Sequence, residues 1–293
     1  MSENSAITLR RDAQAISVGV PALIARARRL AATLSMGVHG RRRSGHGEEF
    51  WQYRQADVGD SARDIDWRRS AQGDQYFIRQ TEWQTAQAVH FWVDQSASMQ
   101  FSAGNPAQSK SQRANTLAVA VAILLAKGGE RFGHLDDLER PKTGAVQINK
   151  FASHLIGHDP AEDYGRPAHK PVGKGARAVF ISDFLGDWDG ILDGVSRIAD
   201  QDVQGALVQV LDPQELAFPF KGRTIFESMK GSLSFEARRA NGMRDAYLER
   251  LAQRQDALQA LARRTGWRFT SHQTDSSAQV ALLWLYQALE AGA

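Results

Sequence analysis

Residues 88–93 read AVHFWV, with Val89, Phe91 and Val93 on one side of an extended segment and His90 and Trp92 on the other. Both sides are largely apolar, which is the pattern of a strand in the middle of a covered sheet. The same signature returns in RAVFISDF (177–184) and VQGALVQVLD (203–212), and more briefly in ERFGHLDDL (130–138) and WRFTSH (267–272). DQYFIRQTEW (74–83) also reads as a strand, expected to form a hairpin with residues 88–93 because few residues intervene.

Helical spacing separates these runs. In residues 20–36, Leu23, Ala27, Leu30 and Leu34 share a face while Arg26 and Arg29 turn away. Further helices are predicted over residues 111–127, ended by Gly128 and Gly129, and over 145–157, 190–200, 236–264 and from 277 onward. In the helix over 236–264, Leu248, Leu251, Leu258 and Leu261 form a stripe suited to packing on a sheet. Strands alternating with helices predict an α/β fold, a mostly parallel sheet with helices on both faces. The expected division is an N-terminal segment of residues 1–85 (helix, basic loop, turn-helix, strand) and an α/β domain of residues 86–293.

The 293 residues are 42% hydrophobic and 24% charged, ordinary for a globular protein, and none is cysteine, which excludes disulfides and thiolate metal sites. A net charge of +3 is too small to argue for nucleic-acid binding. The longest apolar run, LAVAVAILLA (117–126), is about half of the roughly 20 residues a membrane span needs. The first residues show no basic stretch leading into an apolar block, so a cytoplasmic protein without a membrane span is expected.

Three predicted strands end on acids: Asp94, Asp183 and Asp212. Ligand sites in open α/β sheets gather beyond the carboxyl ends of strands, so acids far apart in sequence meet there. Asp212 precedes Pro213 and reads as a helix cap. Asp94 is followed by Ser96 and Ser98, a carboxylate and two hydroxyls on one short loop. Such an oxygen set suits a hard cation such as Mg²⁺, and it equally suits a helix start.

VDQSASM, followed about ninety residues later by ISDF, resembles the metal-ion-dependent adhesion motif of von Willebrand factor A-like domains. The preceding segment GHGEEFWQYRQADVGDSARDIDWRRSA resembles the signature of the bacterial domain-of-unknown-function 58 family, at Gly47, Glu49, Phe50, Arg54, Gly59, Asp60, Arg63, Ile65, Asp66, Trp67, Ser70 and Ala71. The likeness covers about residues 40–290. It departs at Ala56, where an aromatic is usual, and at Gln72, where Arg is common; Thr143 does not align with the threonine of the adhesion motif. The resemblance implies a Rossmann-like von Willebrand A-like domain with Mg²⁺ held by Asp94, Ser96, Ser98 and Asp183. It also implies a non-enzymatic accessory or adaptor role beside a MoxR-type AAA+ ATPase.

The charges around Trp67 are expected to be structural: Asp60 as the cap of the following helix, Asp64 and Arg68 as an i,i+4 pair. The glycine- and proline-rich stretch 158–176 and the basic GRRRSGHG (40–47) read as surface loops. Catalytic signatures are missing. An aspartate-nucleophile phosphotransferase would want an acid where Ser96 stands, and no phosphate loop or Gly-x-Ser-x-Gly elbow occurs. His154 and His158 are four apart, but Leu155 stands where a zinc protease needs Glu. The alternatives carried forward are a metal-dependent hydrolase or phosphatase using Asp94 and Asp183, and a metal-free scaffold.

Overall fold

The computed structural model describes residues 19–34, 42–45, 49–57, 60–61, 65–71, 73, 75–84, 87–103, 109–137, 139–156, 160, 162–167, 170–231 and 234–290. The chain forms two compact units, one of residues 38–86 and one of residues 1–37 with 87–292. The first elements are α1 (residues 19–31), β1 (Arg42–Gly45), β2 (Glu49–Gln55), α2 (Trp67–Ser70) and β3 (Phe77–Gln84). The rest are β4 (Ala88–Val93), α3 (Lys110–Lys127), β5 (Arg131–His134), α4 (Ala145–His154), β6 (Arg177–Ser182), α5 (Trp188–Ala199), β7 (Gln204–Leu211), α6 (Pro213–Ala217), β8 (Thr224–Glu227), β9 (Ser234–Ala237), α7 (Arg244–Thr265), β10 (Arg268–Gln273) and α8 (Ala278–Glu290).

The larger unit is built on a five-stranded sheet in the order β10-β7-β6-β4-β5, with every pairing parallel. Alternate residues of the central strands supply two separate cores. Val89, Phe91, Val93, Val179 and Ile181 join Leu117, Val121, Phe151 and Leu285, so α3, α4 and α8 cover that face, together with Leu23 and Ala27 of α1. Trp92, Ala178, Phe180 and Leu207 join Ile191, Val195, Leu258 and Leu261 beneath α5 and α7. This is the Rossmann-like α/β architecture that the double apolar pattern predicts, since a strand apolar on both sides must be covered on both. Aromatic pairs anchor each layer: Phe91 on Phe151 at 5.1 Å between ring centres, and Trp92 on Phe180 at 5.4 Å.

The smaller unit is a three-stranded antiparallel sheet, β1-β3-β2, with the short helix α2. Arg54 grips Asp60 with two bonds of 2.6 Å, and this guanidinium is the main reason the Asp60 carboxyl lies as low as about 2. The cap of α2 is Asp66, which accepts from Arg69 N at 3.0 Å, and not Asp60. Asp64 lies outside the described residues, and so do Gly59 and Arg63.

Three other expectations change. β3 pairs with β1 and β2, not with β4, so the short link between β3 and β4 joins two sheets. α1 belongs to the larger unit because Leu23 and Ala27 are buried in its core, whereas the sequence division grouped this helix with residues up to 85. The long helix begins at Arg244, not 236, because residues 234–237 pair as a strand with β8. Its Leu251, Leu258 and Leu261 are buried as expected. No helix among the described residues is long and apolar enough to cross a membrane.

Candidate functional site at the carboxyl ends of β4, β6 and β7

The chain leaves β4 toward β5 on one side of it and returns as β6 on the other, so strand order reverses between β4 and β6. Asp94 and Asp183 therefore lie at the topological switch point, where backbone diverges and side chains gather. Both are almost fully buried, at 2% and 1% exposure. The Asp94 backbone N–H still donates to Ile181 O at 2.9 Å, so the residue is held as a continuation of the sheet. Its carboxyl accepts from Ser96 N at 2.8 Å and from Ser182 Oγ at 2.6 Å. Ser96 Oγ and Ser98 Oγ face each other at 3.2 Å at the start of a 3₁₀ turn over Ala97–Gln100.

Asp183 is met from another direction. Lys110, the first residue of α3, is 1% exposed and places Nζ at 2.8 Å from Asp183 Oδ2 and 2.6 Å from Glu215 Oε1. The ammonium also sits 5.8 Å from the centre of the Phe101 ring. Asp183 Oδ1 accepts from Leu185 N at 3.0 Å, and its carbonyl accepts from the buried Gln209 at 2.9 Å. Glu215 is aimed by a capping box on α6: Gln214 N donates to Asp212 Oδ1 and Asp212 N to Glu215 Oε2, each at 2.8 Å. Asp212 thus has the capping role expected of it. Phe184, next to Asp183, has φ of 53°, a left-handed backbone that a bulky residue adopts only when its surroundings hold it there.

Two acids, Asp183 and Glu215, share one ammonium, with Asp94 buried beside Asp183, and the electrostatics follow. Burial disfavours the charge on Lys110, but the carboxylates of Asp183 and Glu215 more than offset it and keep the ammonium protonated. Burial, then the charge of Asp183, pushes the Asp94 carboxyl up, and burial pushes Glu215 up.

The structure brings Asp94, Ser96 and Ser98 onto one loop and sets Asp183 at the end of the adjacent strand, but the set does not fit Mg²⁺. A hard divalent cation needs ionised, accessible carboxylate oxygens. Both Asp94 oxygens already accept hydrogen bonds, and a Cβ on Gly165 would collide with that carboxyl. Asp183 already holds an ammonium, whose charge would repel a second cation.

The cover over Asp94 is a segment of residues 162–167, which sequence alone read as a plain surface loop. Ala97 N donates to Glu162 O at 3.0 Å and Ser98 N to Asp163 O at 2.8 Å. On its other side the segment lies on three glycines spaced by four residues. A Cβ at Gly186, Gly190 or Gly194 would meet Tyr164 Cβ, Arg166 Nε or Pro167 Cβ at 2.8, 2.5 and 2.7 Å. Above it opens a cleft of about 570 Å³ lined by residues including Tyr164, Arg166, Asp187 and Lys230. Lys230 also borders a second hollow of about 330 Å³ beside Gln100 and Met229.

Lys110 and Glu215 were missed in sequence. Glu215 had a signal, the D-x-x-E spacing of a capping box from Asp212. Lys110 had only a negative one, a cation at a helix N-terminus where the dipole disfavours it. Of the histidines, His158 lies outside the described residues, and His154 stacks on His134 with ring centres 4.1 Å apart. Asp136 completes a group whose ligand atoms lie within 4.8 Å of one another.

The family model described as protein of unknown function DUF58 matches residues 52–257. No curated protein matches the chain. Among solved structures, the conserved hypothetical protein BatB from Bacteroides thetaiotaomicron is 14% identical, over 71% of this chain and 100% of that one, with a TM-score of 0.39. An aerotolerance-related membrane protein from Bacteroides fragilis NCTC 9343, carrying multiple mutations to serines, is 15% identical over 70% of this chain and 98% of that one, also with a TM-score of 0.39.

Proposed function

We propose, from the premise that this chain belongs to the DUF58 family of proteins of unknown function, that it is a non-enzymatic interaction module serving as accessory or adaptor to a MoxR-type AAA+ ATPase. The observation that carries the non-enzymatic reading is the burial of Asp94 and Asp183 beneath residues 162–167 and against Lys110. A hydrolase needs its acids within hydrogen-bond reach of a substrate. Here the carboxylates are spent on internal donors, and Ser96 and Ser98 face each other with no histidine bonded to either among the described residues. What the switch point offers outward is a broad cleft of mixed character, with Tyr164, Arg166, Asp187 and Lys230 on its walls. Aromatic and arginine side chains of this kind are what protein partners commonly dock against. The ATPase as partner comes from the family resemblance.

The test is capture from lysate on the immobilised chain, with mass spectrometry of the retained proteins, beside Tyr164→Ala with Lys230→Glu. The expectation is enrichment of an AAA+ ATPase by the wild type and loss of most of it in the double variant. No such enrichment would sink the adaptor reading. Turnover of a phosphate or carboxylic ester that disappears in Asp183→Asn would put the hydrolase in its place.

A further inference from the structure

We infer that the Lys110 ammonium is the resident cation of the switch-point site, bridging Asp183 and Glu215 where the adhesion motif it resembles uses a divalent metal. Three observations carry this. First, the ammonium is buried to 1% exposure and bonded to two carboxylates on different elements, the end of β6 and helix α6, at 2.8 and 2.6 Å. Its own helix, α3, begins at the far end of the Asp94 loop, so one side chain ties together the chain segments that follow β4, β6 and β7. That cross-linking is what a metal ion does for such loops. Second, the position is unfavourable for a lysine on every local ground. Burial, the positive end of a helix dipole and the loss of side-chain freedom all oppose it, so the carboxylates must supply the compensation. Third, every carboxylate oxygen of Asp94, Asp183 and Glu215 already accepts a hydrogen bond from within the chain. Asp94 accepts from Ser96 N and Ser182 Oγ, Asp183 from Leu185 N and Lys110, and Glu215 from Lys110 and Asp212 N.

An ammonium and a divalent ion differ in a way that matters here. Lysine is covalently part of the chain and always present, so the site is closed independently of metal supply. It carries one charge where Mg²⁺ carries two, so it does not leave surplus positive charge to attract a partner's carboxylate. Recognition is thereby moved from the acids to the surface above them. The inference concerns the same site as the adaptor reading but stands apart from its partner, and the two fail separately. Missing ATPase capture would sink the adaptor alone, whereas metal uptake at this site by the wild type would sink only the resident ammonium.

The experiment is a titration of the purified full chain with Mn²⁺, read by electron paramagnetic resonance of the free ion, together with melting in Mg²⁺ and in EDTA. The wild type is expected to take up no stoichiometric Mn²⁺ at this site and to melt within about 1 °C in both media. Lys110→Ala leaves two buried carboxylates without their cation, and its midpoint is expected to fall by about 10 °C. The vacated space should then bind one Mn²⁺, with part of that loss recovered in its presence. One Mn²⁺ bound by the wild type and still bound when His134 and His154 of the separate histidine group are replaced by Ala, or a midpoint of that His134→Ala, His154→Ala chain lowered by EDTA, overturns the inference. So does a Lys110→Ala chain that folds with an unchanged midpoint or without gaining the ion. If Lys110→Ala does not fold, Lys110→Met combined with Asp183→Asn and Glu215→Gln removes both signs of charge. Recovery of a cooperative melt supports the pairing, and failure to recover one counts against it.

Discussion

Neutral His272, buried at the end of β10, receives the Arg113 guanidinium at 2.9 Å on Nε2, while the same arginine donates to the carbonyls of Thr274 and Ser276. The clasp joins α3 to the turn after β10, and it works only while the imidazole is unprotonated. Burial, and then the charge of Arg113, lowers the His272 pKa from 6.5 to about 4. The unfolded chain takes up that proton below about 6.5, and the native chain only near 4. Native stability is therefore complete above pH 6.5 and is lost as pH falls toward 4, by about 3 kcal/mol for this group. Urea unfolding at stepped pH should show that decline, and His272→Asn should flatten it; an equally steep decline in the variant would remove the role from His272. At this scale the sequence was informative about Asp94, Ser96, Ser98 and Asp183 as a group, because spacing on one loop and a strand-end acid are local signs. It was silent about which donors those carboxylate oxygens accept from, which are Ser96 N, Ser182 Oγ, Leu185 N and Lys110 Nζ.

The glycines of the turn into α5 and of α5 itself show how an element is shaped by what lies on it. Gly186 and Gly194 face rigid parts of residues 164–167, the Cβ of Tyr164 and the ring of Pro167, whereas Gly190 faces the Arg166 side chain. Arg166 is mostly exposed and free to swing aside, although it pairs with Asp187 at 3.0 Å. Gly194→Ala should thus cost about 1–3 kcal/mol, as overpacking does, while Gly190→Ala should cost little. Chemical denaturation of the two variants distinguishes them, and equal losses would argue against close packing of the covering segment. The predicted helices α3, α4, α5 and α8 are all present; α4, α5 and α8 each bury one stripe at helical spacing, whereas α3 is buried on all sides from Leu117 to Leu125. The 3.6-residue period overran at the start of α7, where residues 234–237 are captured by β8, a pairing the helix period cannot register.

For the whole molecule, the covered parallel sheet should be the most persistent part. β4, β6 and β7 are paired on both sides and roofed by helices, whereas β8 and β9 form a two-stranded ribbon with Ile225 and Phe235 exposed. Hydrogen exchange is expected to be slowest in β6 and its two neighbours and at least tenfold faster in β8 and β9. Comparable protection of the ribbon would mean that something beyond its own strands covers it. The alternation of apolar runs and helical periods already determined the α/β class, the strands of the five-stranded sheet and the carboxyl ends at which a site should lie. These are consequences of period and burial, which each stretch of chain carries within itself. Only the tertiary structure decided that β3 leaves the main sheet, that residues 162–167 close over Asp94, and that Lys110 bonds both Asp183 and Glu215. Those outcomes depend on charges and backbone brought together from segments about seventy to a hundred residues apart, Lys110 with Asp183 and Glu215, and no local pattern encodes such a meeting.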